Sequence, residues 1–152
     1  MRAILIDPHT MTVTEVDPPD LKLETMRSLI DCEWVDRTSL GGNVDGWVDD
    51  EGMMKRGQRF WHFEGSTVLM AGKCLLCSIS DSGDSIALAP YATLKRTQAL
   101  VAFLGDANGA QRAIQAGLID QPMTYVADMD NPDQRTVLWT WDHRDCLDNE
   151  KE

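Results

Sequence analysis

The sequence predicts an α+β fold, mainly antiparallel sheet with about three helices. Alternating, β-branched runs open the chain and return after each turn signal. Apolar residues fall at helical spacing around residues 21–31, 94–104 and 106–116. The resulting order is strands, helix, strands, two helices and a hairpin, unlike the regular alternation of a parallel α/β fold.

Arg2 to Ile6 reads as a first strand and Met11 to Val16 as its partner, joined by the turn residues Asp7-Pro8-His9-Thr10. Asp17-Pro18-Pro19 breaks the chain, and Asp20 is placed to cap a helix. Leu23, Met26 and Ile30 then share one helical face, which predicts a helix over Leu21 to Asp31. Strand character returns from Cys32 to Leu40, centred on Trp34 and Val35. Gly41-Gly42-Asn43 is a strong turn, Asp45 to Asp49 a short strand, and Asp50-Glu51-Gly52 a second turn.

Met53 to Gly65 carries no clear period. Gly72 to Ser80 is an apolar strand that ends at Asp81-Ser-Gly-Asp84, and Ser85 to Ala89 is a further short strand. Leu94, Ala99, Leu100, Phe103 and Leu104 predict one helix stopped near Gly105. Asp106 caps another that runs to Ala116 and ends at Gly117. Met123–Met129 and Arg135–Trp141 read as a hairpin before a polar tail.

A chain of 152 residues suits one domain, or one with an extension. The break near Ser82 to Pro90 suggests an N-terminal module over residues 1–84 and an extension over 85–152. The alternative is one continuous domain. No apolar run approaches the ~20 residues of a membrane span, so no membrane partner is expected. The N-terminus lacks the apolar core of a secretory signal, which points to the cytoplasm. Cys32, Cys74, Cys77 and Cys146 are then expected as reduced thiols that fill the core.

The net charge is −11, unevenly spread. Residues 1–60 hold 12 acids and 7 bases, residues 61–100 hold 3 of each, and residues 101–152 hold 10 and 4. Such a surface repels phosphate backbones, which disfavours direct nucleic-acid binding. Its ordinary role is solubility; its sharper role is an acidic face for a basic partner. The acidic candidates are Asp45, Asp49, Asp50 and Glu51, with Asp128, Asp130 and Asp133 in the second acidic region.

Cys74-Leu-Leu-Cys77 with His143-Arg-Asp-Cys146 has zinc-like spacing. However, residues three apart on a strand face opposite sides of the sheet, so no metal is expected there. Asp49-Asp50-Glu51 lacks the spacing of a calcium loop and reads as a solvated turn. His9, His62 and His143 have neutral-range imidazoles, but no nucleophile motif accompanies them. No cofactor and no catalytic residue is assigned. Among the five tryptophans, Trp61 with His62 stands beside Arg56 and Arg59 of the local basic cluster Lys55, Arg56 and Arg59. Arg56, Arg59, Trp61 and His62 are the candidates for a small, nucleotide-like anionic ligand.

The motifs from Met1-Arg-Ala-Ile-Leu-Ile-Asp-Pro8 and Thr12-Val-Thr-Glu-Val16 through the helix to Cys32-Glu-Trp-Val-Asp36 form an ordered series. Val44-Asp-Gly-Trp-Val-Asp-Asp-Glu-Gly-Met-Met-Lys55 and Leu69-Met-Ala-Gly-Lys-Cys-Leu-Leu76 continue it. Over about residues 1–80 the chain resembles domain of unknown function 3846, an uncharacterised family of phage, plasmid and other mobile-element proteins. The resemblance implies a protein acting in a bacterial host's cytoplasm and carries no catalytic residues across. With the charge pattern, it leads to one expectation: a non-enzymatic accessory protein. It would bind a host or defence protein with a basic surface, nucleic-acid mimicry being one form of that binding. The second reading is a protein that binds or sequesters a small ligand. A homodimer stays open.

Overall fold

In the computed structural model the described residues are 1–66 and 68–117, with the backbone of 124–127 and 135–138. β1 (Ala3–Asp7) and β2 (Thr12–Val16) form the expected hairpin, with Ala3 opposite Val16 and Asp7 opposite Thr12. α1 (Leu23–Ile30) follows. Asp20 does not cap it directly: its Oδ1 accepts from the Lys22 amide at 2.9 Å and the Thr25 hydroxyl at 2.6 Å. Those bonds, the Thr25 one foremost, hold the Asp20 carboxyl below its ordinary pKa.

β3 (Val35–Ser39) and β4 (Val44–Asp49) pair across a turn in which Gly41, Gly42 and Asn43 all have positive φ. Two glycines and an asparagine are the residues that tolerate that backbone. After a 3-10 turn at Gly52–Met54 come β5 (Phe60–Phe63), β6 (Leu69–Ala71), β7 (Cys74–Ile79) and β8 (Ser85–Ile86). β5 arises within the stretch Met53 to Gly65 that carried no clear period, and β6 just after it, where the sequence assigned no element. β7 lies at the centre of a sheet ordered β2-β1-β7-β4-β3, with β8 also on β7, all pairs antiparallel.

The helix expected over residues 94–104 is corrected by the structure. α2 (Leu94–Leu100) stops halfway, and β9 (Val101–Gly105) pairs antiparallel with β5. Thr93 starts α2 by accepting from the Arg96 amide at 3.2 Å. The run from Leu94 to Leu104 has helical spacing, but Val101 and Phe103 also alternate as a strand requires. The open edge of β5 decides between the two, because pairing there satisfies backbone donors and seats both side chains in the core. α3 (Ala107–Gln115) begins as expected, with Asp106 Oδ1 accepting from the Gly109 amide at 3.0 Å. β10 (Thr124–Ala127) and β11 (Arg135–Leu138) pair antiparallel; the residues between them lie outside those described.

Four of the units stack in layers: α1, the large sheet, the small sheet β6-β5-β9, and α3. Strand alternation supplies each face. Ile4, Ile6, Cys74 and Leu76 point between the sheets, where they meet Trp61 and Met70. Ala3, Leu75 and Cys77 point to Met26 and Ile30 of α1. Phe60, Leu69 and Ala71 point to Ala110, Ala113 and Ile114 of α3. Residues on either side of position 84 therefore share sheets and cores: β9 completes the small sheet and α3 covers it. Arg2 ties the same halves by donating to the carbonyls of Leu88, Ala89 and Ala92.

Cys74 and Cys77 lie on opposite faces of the large sheet, as the three-residue spacing predicts. Burial raises the pKa of both thiols. Burial also raises that of Cys32, with the Asp49 carboxylate adding to it. Since the thiolate is the nucleophile, native protein carrying Cys146→Ser is expected to react with iodoacetamide at pH 7.5 at least about tenfold slower than unfolded protein. Equal rates would show that these thiols are not sequestered.

Candidate functional site

The structure separates the four acidic candidates of the first region. Asp45, Trp47 and Asp49 share the face of β4 turned toward α1, with Trp47 packed into that core. Asp45 is only 5% exposed and faces Arg37 Nε at 3.5 Å. At that distance charge holds the carboxylate without a well-formed hydrogen bond. Asp49 is ion-paired with Lys55, and that pairing raises the Lys55 pKa. Asp45 and Asp49 are thus internal charges rather than docking surface. Asp50 and Glu51 are exposed, at the end of β4. Asp128, Asp130 and Asp133 lie outside the described residues, as do Trp139, Trp141, His143 and Cys146.

The ligand candidates are also dispersed. Trp61 is 0% exposed between the sheets, and its indole N–H donates to the Gly72 carbonyl at 3.0 Å. It has no free face on which a base can stack, which corrects the expected role. Period two explains this: Trp61 and Phe63 take the inner face of β5, while Phe60 faces α3 across a bulge. His62 is half-buried, and its Nε2–H donates to the Ser66 carbonyl at 2.6 Å. Arg59 Nη1 donates to the neighbouring Gln58 carbonyl at 3.3 Å. Arg56 is exposed and lines a cleft of about 430 Å³, which also takes in His9.

A different aromatic is presented to solvent. Trp34, read from sequence as the centre of a strand, lies just before β3 and is 53% exposed. The Arg27 guanidinium sits 5.5 Å from its ring centroid and steadies one side of it. The Asp50 amide donates to the Trp34 carbonyl at 2.8 Å, which brings the end of β4 beside the start of β3. Val35 stands opposite Asp49 in the same register. Glu33, Asp36, Asp50 and Glu51 therefore lie at the same margin of the large sheet as Trp34, as its near neighbours along the chain or at the end of the paired β4, and all four are exposed. Among the described residues none of the four makes an ion pair.

Among the described residues β3 is the outer strand on that side and pairs with β4 alone. The opposite margin, β2, is covered: Gln98 of α2 donates to the Val13 carbonyl at 3.2 Å. Sequence reasoning assigned Trp34 to a strand interior and so missed it. The signal was its acidic company, Glu33 and Asp36, which a buried strand does not carry.

These features define an α+β protein in which, among the described residues, an acidic, tryptophan-bearing margin of the large sheet is uncovered. The chain belongs to the family described as Domain of unknown function (DUF3846), whose model matches residues 1–100. The match ends at the last residue of α2, so β9 and α3 lie beyond it. No curated protein matches the chain, and no solved structure does. No described helix is long and apolar enough to cross a membrane.

Proposed function

We propose that the protein is a non-enzymatic accessory factor of a phage or plasmid that binds a basic host or defence protein through the margin around Trp34. The observation that carries this reading is the half-exposed Trp34 at the same sheet margin as Glu33, Asp36, Asp50 and Glu51, which among the described residues make no ion pair. An exposed indole supplies a large apolar contact at small entropic cost, and tryptophan is enriched among residues that dominate interface energetics. The surrounding carboxylates select a basic partner and steer its approach. A groove that normally receives nucleic acid has the same charge requirement. The bacterial cytoplasm is the setting this reading calls for.

The test is retention of proteins from a bacterial lysate at low and high salt, followed by affinity measurement with the purified partner. Trp34→Ala is expected to weaken binding about 30-fold or more, the range of an interface hot spot. Asp36→Lys with Asp50→Lys is expected to abolish binding at low salt, and raised salt to weaken the wild-type complex. A partner that binds all three proteins equally would place the interface elsewhere and sink the proposal.

A further inference from the structure

The cleft beside Arg56 lies where β1 and β4 end and β7 begins. Asp7, His9, Asp31, Arg56 and Lys73 line it, above a wall that includes the Asp49–Lys55 pair. Its volume of about 430 Å³ is that of a small-molecule site. Acids outnumber bases 25 to 14 in this chain, so surface cations should find carboxylates easily. Among the described residues, however, Arg56 and Lys73 make no ion pair. The nearby carboxylates are partly engaged. Asp49 is held by Lys55, and Asp7 Oδ1 accepts from the His9 amide at 2.9 Å.

We infer that this cleft binds a phosphorylated sugar or polyol. Arg56 and Lys73 supply a planar fork and a point charge for the phosphate, and His9 a further donor. The second oxygen of Asp7 and the carboxylate of Asp31 accept from hydroxyls at the other end. Asp31 is held in place by its left-handed backbone at the end of α1 (φ 60°), where its amide donates to the Arg27 carbonyl. Among the described residues no Trp, Tyr or Phe lines the cleft, so none of them offers a ring there on which a nucleobase would stack. A sugar phosphate therefore fits better than a nucleotide. This inference uses none of the residues assigned to partner binding.

The test is calorimetric titration of the full chain with ribose 5-phosphate, ribose, inorganic phosphate and AMP. Ribose 5-phosphate is expected to bind, with at least tenfold loss in Arg56→Ala and in Lys73→Ala, and no change in Trp34→Ala. Asp31→Asn is expected to weaken ribose 5-phosphate and leave inorganic phosphate unchanged. Arg56 is exposed, so Arg56→Ala preserves the test if a Lys73 variant fails to fold. No heat with ribose 5-phosphate, or equal binding by wild type and Arg56→Ala, would overturn the site. Inorganic phosphate or AMP binding as tightly as ribose 5-phosphate would overturn the ligand class.

Discussion

Trp61→Ala is expected to lower the free energy of unfolding by about 3–5 kcal/mol, the range for deleting a large buried aromatic. Trp61 is among the largest fully buried side chains and spans the layer between the two sheets. Across β5 it stands opposite Met70 on β6 and Phe103 on β9, so its loss opens a cavity at the centre of the small sheet. A domain is stable by only about 5–15 kcal/mol, so this variant loses a large share. Trp61→Phe separates two contributions. It keeps most of the volume but leaves the Gly72 carbonyl without its donor, which costs about 1–3 kcal/mol when buried. Urea unfolding followed by far-UV circular dichroism checks both. A loss below about 1 kcal/mol for Trp61→Ala would contradict its central position.

Gly109→Ala is the second large effect, and its sign is diagnostic. Within an exposed helix, glycine to alanine stabilises by about 1 kcal/mol. At Gly109 an added Cβ would overlap the carbonyl oxygen of Leu104 and lie 3.1 Å from its carbon. Those are backbone atoms of β9, so they cannot swing aside as the end of a flexible side chain would. α3 must then lift away from the strand that precedes it, with a loss of about 3 kcal/mol or more, the upper range of overpacking. Asn108→Ala, one residue earlier and exposed, is expected to stay within about 0.5 kcal/mol of wild type. A gain in melting temperature for Gly109→Ala would show that the close approach does not exist.

The candidate site was legible only in outline. The sequence marked Asp49-Asp50-Glu51 as a charged turn, yet period two sends Asp45 and Asp49 toward α1 and leaves Asp50 and Glu51 outside. Alternation along β4 puts Asp45, Trp47 and Asp49 on one face. Which face is covered depends on where α1 docks, and that is a contact between distant residues. The two tryptophans illustrate the same dependence. A basic neighbourhood made Trp61 look accessible, but β6, β9 and the large sheet close over it. A strand-like neighbourhood placed Trp34 at the centre of a strand, but β3 begins one residue later, at the sheet margin.

By itself the sequence determined what local chemistry controls. It specified the opening hairpin, the Gly41-Gly42-Asn43 turn, α1, the Asp106 cap of α3, the central strand that became β7 and the antiparallel character of the fold. Its motif series also marked the family to which residues 1–100 conform. Tertiary structure alone decided the division of residues 94–104 into α2 and β9, the strands β5 and β6, and the stacking of two sheets between two helices. Each of these depends on an open strand edge or an apolar face supplied by a segment far away in the chain. Tertiary structure likewise decided which acids are surface: Asp50 and Glu51 face solvent beside Trp34, while burial and the Lys55 pair withdraw Asp45 and Asp49.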